Sequence, residues 1–523
     1  MRIRQSLQLA VFACAALLLN ACAPKAEKTP LECAPKNTTA VMWVKADAAL
    51  AEQMKSRPDY KQLVQALREN GKITKLLAEK LGELEKQSNG ISALFVSKTD
   101  AIGSLEDLAF NFLDEFAAFT DSAEIASDKF NWTAVMRAKD ERFVAKARQA
   151  AEKAMEQSKG QLAKDGENYK LTVSDTQEIV FGFCGKYIVA AANDKLLAAA
   201  MEKISGDNSE SVLDAPKFAK AFKNIKSHSL GLFIDSKIFP NGENFDALTT
   251  NVDYFALVSD STSLESGTAE FDVAFKKGAA ADFIKLLKLE NPNETRALPN
   301  SQMYFKSAFA LSDEMLAQLA ANPMAAIFAP VLKKLKSVEY SVNNFDPAKN
   351  ALPTSLANCR VDNADAVLAT PQVSAIMNQS MFADAEIGGV KCKVSPVAAV
   401  VKTAEDNISV VLSPFPKDRD AAVKSISAKG ELPQSDFFKS LKVPQNAVAK
   451  FYYDGLAFSG ANAQQLPPNM ATFSGLIGAY IKCCKRQEMR GWTFAEGDVL
   501  KTHMEAVGEL DFTPLVEFVK NYK

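Results

Sequence analysis

Two imidazoles, His228 and His503, are the only ones in the 523-residue chain, and each falls in or beside an apparent strand. Neither has the serine, cysteine or carboxylate arrangement of a catalytic triad, so both are read as surface or sheet-edge side chains. With two histidines and no C-x-x-C pair, no zinc site is expected and the metal and cofactor assignments are none. G-x-S-x-G, H-E-x-x-H, G-x-x-x-x-G-K-[ST] and G-x-G-x-x-G are all missing from the sequence. Gly182-Phe183-Cys184-Gly185-Lys186 has the glycines and lysine of a phosphate loop, but it reads as a turn between strands. Asp362-Asn363-Ala364-Asp365 lacks the glycine and distal glutamate of a calcium loop and also reads as a turn.

Carboxylates offer more candidates than can be ranked, 63 in all. Three recur at one kind of place: Asp47, Asp235 and Asp454 each end a short apolar run. A carboxylate there accepts the orphan N–H groups of a following helix, so these are expected helix caps; acids grouped at strand ends for catalysis are the alternative.

Those acids must be positioned by a repeating unit of strand, polar break and amphipathic helix. It occurs at 131–151, 186–204, 269–287, 408–426 and 500–519, where apolar residues alternate and then recur three and four apart. Short polar turns such as Ser227-His228-Ser229 and Glu496-Gly497-Asp498 favour antiparallel pairing. The expected fold is α+β: two related halves, each a mostly antiparallel sheet with helices packed on one face, at 33–290 and 297–523. The polar run Glu290-Asn291-Pro292-Asn293-Glu294-Thr295 is the expected linker. Apolar stripes at 315–335 and 467–486 suit core helices, with a lid, a partner helix or an apolar-ligand pocket as the alternatives.

At the N-terminus, Arg2 and Arg4 precede an apolar stretch from 7 to 19, the layout of an export signal and too short for a membrane span. Leu19-Asn20-Ala21-Cys22 resembles the bacterial lipobox. The resemblance implies removal of residues 1–21, a diacylglyceryl thioether on Cys22 and acylation, typically palmitate, of the new amino group. Pro24 opposes cleavage at the competing Ala21-Cys22-Ala23 site, and Ala23 implies the outer membrane. Residues 22–32 then form a lipidated tether. Losing Arg2 and Arg4 moves the formal net charge from −2 to −4, with no sign of a nucleic-acid surface.

Six cysteines remain in the mature chain: Cys33, Cys184, Cys359, Cys392, Cys483 and Cys484. An exported chain with an even count permits disulfides. Fifteen connectivities are open, with Cys359 and Cys392, the nearest non-adjacent pair, as the candidate bond. Cys483 and Cys484 are expected on opposite sides of their element.

The lipobox with its strand and helix units resembles lipoprotein families known only as domains of unknown function. Pro35-Lys36-Asn37-Thr38-Thr39-Ala40-Val41-Met42-Trp43-Val44 and residues 187–235 carry the resemblance, which supplies no activity. The expectation is a lipid-anchored envelope protein, binding or scaffolding rather than catalytic, on the periplasmic or the surface side. Its partners would be the membrane and an unknown protein or apolar ligand. An envelope hydrolase using unrecognised carboxylates and an outer-membrane assembly factor are the alternatives.

Overall fold

The structure is a computed structural model that describes residues 27–87, 101–121, 130–157, 160–174, 177–206, 209–222, 228–239, 246–311, 329–345, 353–379, 381–426, 433–459 and 474–522. Cys22, its signal and most of the 315–335 stripe lie outside these residues. The chain forms two compact units: Met1–Leu264 with Phe271–Ala274 and Phe512–Lys523, and Glu265–Glu270 with Phe275–Asp511. The expected division at 290–295 is therefore corrected.

In the first unit the strands are β1 (Ala40–Lys45), β2 (Leu113–Thr120), β3 (Thr133–Ala138), β4 (Leu162–Asp165), β5 (Asn168–Ser174), β6 (Gln177–Cys184), β7 (Tyr187–Ala191), β8 (Leu230–Asp235) and β9 (Val252–Ser263). They pair antiparallel in the order β4-β5-β6-β7-β3-β2-β1-β8-β9. After β10 (Ser266–Phe275) the second unit has β11 (Met303–Ala308), β12 (Leu335–Asn343), β13 (Thr354–Val361), β14 (Ala383–Ile387), β15 (Val390–Val394), β16 (Ala398–Ala404), β17 (Asn407–Leu412), β18 (Ala447–Asp454), β19 (Cys484–Glu496) and β20 (Val499–Leu510). Their antiparallel order is β14-β15-β16-β17-β13-β12-β11-β18-β19-β20. The nine strands of the first unit thus follow the same path as β14-β15-β16-β17-β13-β12-β11-β18-β19 of the second.

The match extends to individual main-chain hydrogen bonds. Asp235 N donates to Thr39 O at 2.7 Å and Asp454 N to Gln302 O at 2.8 Å; Ala138 N donates to Lys186 O at 2.9 Å and Val361 N to Asp406 O at 2.9 Å. Lys139 N to Phe112 O, 3.0 Å, recurs as Asp362 N to Lys334 O, 3.0 Å. These bonds fix which residues of the two units are equivalent.

All five anticipated strand–helix units form, with helices Glu141–Gln157, Asp194–Ser205, Ala279–Ile284, Pro416–Ile426 and Thr513–Asn521. They do not keep to one face. In the first unit Phe181 and Phe183 join the core beneath Glu141–Gln157, with Val144, Ala147, Ala151 and Ala154. Gly182, between those two phenylalanines, faces Met201 of Asp194–Ser205 instead. The reason is legible in β7, whose five residues Tyr187-Ile188-Val189-Ala190-Ala191 are all buried: an unbroken apolar strand needs cover on both sides. The second unit does likewise, with Ala422 and Val423 of Pro416–Ile426 against Leu356 and Val411, and Ala364 and Val367 of helix Ala364–Leu368 against Val361 and Ile408.

Three aspartates cap as expected. Asp47 accepts from Ala49 N and Leu50 N at 2.8 and 3.1 Å, Asp235 from Lys237 N at 3.0 Å, and Asp454 from Leu456 N and Ala457 N at 3.0 and 3.4 Å. Helix Ser474–Cys483 is present in the 467–486 stripe. Among the described residues no helix is long and apolar enough to cross a membrane.

Candidate functional site

Strand alternation should put apolar side chains on the covered face of β11, β12 and β18. Lys306, Glu339 and Lys450 stand there instead, 6%, 5% and 0% exposed. Cross-strand register joins them to two further buried polar residues in a single row over five strands: Lys450 (β18), Lys306 (β11), Glu339 (β12), Asn358 (β13) and Ser409 (β17). Buried charge is costly unless hydrogen-bonded and paired, so the segment that solvates the row matters.

That segment is the polar run expected to be a linker. Its main chain lies over the row as a strap: Glu294 O accepts from Lys306 Nζ at 2.9 Å and Lys450 Nζ at 3.0 Å, and Asn291 O accepts from Lys306 Nζ at 3.3 Å. Thr295 Oγ1 accepts from Lys450 Nζ at 2.7 Å. Arg296 N donates to Glu339 Oε1 at 2.6 Å and Arg296 O accepts from Asn358 Nδ2 at 2.9 Å. Tyr304 hydroxyl donates to the same Glu339 oxygen at 2.6 Å, and Ser409 Oγ donates to Asn358 Oδ1 at 2.5 Å. The strap is pinned by Asn293, which exchanges two hydrogen bonds with Val443, 2.9 and 3.1 Å. The groups that serve the buried ions are its main-chain carbonyls and Thr295 Oγ1, while the Asn291 and Glu294 side chains stay exposed.

Burial, reinforced by Lys306, pulls the Lys450 ammonium down to about 7, and burial raises the Glu339 carboxyl. Burial also holds the Tyr304 phenol well above its usual value.

Beside the strap lies a cavity of about 510 Å³ whose walls include Thr295, Arg296, Asn358, Ser409, Phe438, Lys439 and Lys442. Among the described residues no carboxylate lines it. The neutral polar side chains of the wall are already engaged: Asn293 and Asn358 as above, Gln434 with Leu298 O and Ser301 N, Thr403 with Asn407 Oδ1, and Ser425 with Ala422 O. Among the described residues the Arg296 side chain makes one hydrogen bond, Nε to Glu294 Oε1 at 3.0 Å. The ammonium groups of Lys439 and Lys442 are exposed and in no ion pair among the described residues.

The residues singled out from sequence lie elsewhere. His228 Nδ1 is 2.6 Å from Asp260 Oδ2, and the His503 ring lies 4.4 Å from that of Trp492 with Glu505 at 3.4 Å. Gly185 turns the β6–β7 hairpin at φ 55°, and Asn363 caps helix Ala364–Leu368. The Cys359–Cys392 bond is corrected: both are free thiols, as are the other four described cysteines. Cys392 on β15 packs with Leu356 and Val411, Cys359 on β13 with Val361 and Ile408, on opposite faces of the sheet. Two strands intervene, which separates their Cα atoms by roughly 14 Å; a disulfide spans about 4.4–6.8 Å. Cys33 is buried, its thiol pushed up to about 12 by burial, and Cys483 is buried while Cys484 is partly exposed.

No family model and no curated protein matches the chain. Crystal structures of the protein TP0453 are similar to part of it. Form III has 14% identity over 42% of this chain and 95% of that one, with a TM-score of 0.24. Form I has 12% identity over 44% and 97%, TM-score 0.23, and form IV 11% over 43% and 94%, TM-score 0.19. Scores this low carry no argument about function.

Proposed function

We propose that the chain is a lipid-anchored protein of the cell envelope that holds a small polar ligand in the cavity of its second unit and performs no chemistry on it. The lipobox ending at Cys22 supports the anchor, and Ala23 supports the outer membrane. The observation that carries the binding reading is the cavity beside Asn358, Ser409 and the strap, a volume within the usual 300–1,000 Å³ of small-molecule sites. Its described wall holds no converging carboxylates of the kind a hydrolase would need, and its polarity suits a polar ligand better than the apolar one expected from sequence. In this reading the two units descend from one duplicated strand pattern, and only the second has been fitted for a ligand; the shared strand order and recurring main-chain bonds support this.

Native mass spectrometry of the full mature chain tests the binding reading. A polar small molecule retained by the wild type and lost on Asn358→Val with Ser409→Val is expected; a ligand retained equally by both would contradict it. Fractionation of Cys22→Ala tests the anchor, with release from the membrane fraction as the expected result.

A further inference from the structure

We propose that the cavity of the second unit takes an organic oxyanion, a phosphate or carboxylate on a sugar-sized body, gripped by Lys439, Lys442 and Arg296. The inference rests on the reading of this cavity as a ligand site and adds the chemistry of the ligand. Among the described residues three cations and no acid line the space. Among the same residues the carboxylate bonded to any of them is Glu294, which takes one Arg296 nitrogen in an exposed pair, 46% and 44% exposed. Such pairs are weak and readily exchanged.

Hydrogen-bonding capacity points the same way. The Asn293, Asn358 and Gln434 amides are committed to the protein on both their oxygen and nitrogen sides. The charged donors on the wall are the two ammonium groups and the outer guanidinium nitrogens of Arg296, a positive set that an uncharged ligand cannot neutralise. An oxyanion meets it with charge-assisted bonds, about twice as strong as neutral ones. The volume of about 510 Å³ exceeds what an inorganic ion fills and leaves room for a body of sugar size.

Isothermal titration of the full mature chain with glucose 6-phosphate, gluconate and glucose separates phosphate, carboxylate and neutral forms of one skeleton. At least one anion should bind ten times or more tighter than glucose, and weaken as salt is raised. Lys439→Gln with Lys442→Gln changes only exposed side chains; it should weaken that anion at least about tenfold and leave the melting temperature unaltered. Glucose binding as well as both anions, or an unchanged affinity in the double variant, overturns the proposal. If no probe binds and native mass spectrometry finds a neutral molecule held, the oxyanion fails while the ligand site stands. If no probe binds and nothing is held, both readings fall.

Discussion

Two rows of side chains occupy equivalent places in the two units. In the second unit the row is Lys450, Lys306, Glu339, Asn358 and Ser409; in the first it is Gly231, Trp43, Ala117, Val135 and Val189. All ten residues are buried. In the first unit the Trp43 ring lies against Gly231, where a Cβ would overlap it, and packs tilted against Phe218 and edge-to-face against Phe222, with centroids 5.9 and 5.0 Å apart. That row is plain core. In the second, the matching space is filled by ions and by a strap whose carbonyls and amides solvate them. One strand pattern therefore supports either a closed apolar interior or a polar layer beside a cavity, and the choice lies in five residues. The difference teaches that the frame is set by main-chain pairing, while one row of it decides whether the interior is apolar or polar.

The largest test of this contrast is Glu339→Leu. It leaves Lys306 and Lys450 buried without a counter-charge and strands the Tyr304 and Arg296 donors, so urea unfolding should report a loss of about 3–5 kcal/mol. A loss under about 1 kcal/mol would mean the row is not an interdependent network. Next comes Gly231→Ala in the first unit, expected to cost about 1–3 kcal/mol by overpacking against Trp43. Combined with Trp43→Leu, the two losses should fall short of their sum, because the smaller side chain relieves the overlap.

Lys450 gives a pH signature that the apolar row cannot. Its folded pKa, about 7, lies below the unfolded value of about 10.4. Between those values the unfolded chain binds the additional proton, so stability rises with pH, by at most about 1.4 kcal/mol per unit. Below about 7 the penalty for burying the charge is present in full. Melting curves of wild type and Lys450→Met from pH 6 to about 10 should therefore diverge in slope across that window; parallel curves would count against a buried, deprotonating lysine. The smallest effects belong to the shared frame: Asp235→Ala and Asp454→Ala should each cost about 1 kcal/mol as lost caps. Asp235 should cost slightly more, since it also pairs with Lys217 at 2.8 Å.

The frame was legible in the sequence because periodicity and capping are local. β7 with its helix, the Gly185 turn and the three aspartate caps all follow from a few adjacent residues. The helices' use of both faces was also written in β7, whose apolar run has no polar side to leave open. The row was not read because it depends on register between strands far apart in the chain: Lys306 and Lys450 are paired across the sheet, 144 positions apart. A signal did exist, since Lys306, Glu339 and Lys450 interrupt apolar alternation at inward positions. The role of the run from Glu290 to Thr295 is not legible in its composition for a physical reason: its polar side chains do face water, and the buried ions are met by the main-chain carbonyls of Asn291 and Glu294, which any sequence would supply. Cys359 and Cys392 misled because proximity in sequence says nothing about which face of a sheet each occupies.

The central claim, that only the second unit serves a ligand, is tested most directly by counting sites. Equilibrium dialysis of the full mature chain against labelled glucose 6-phosphate should give one site per chain. Lys439→Gln with Lys442→Gln, which removes two of the three cations on the wall, should weaken that site at least about tenfold and leave the chain folded. Two sites per chain, or one that this exchange leaves unweakened, would contradict the account.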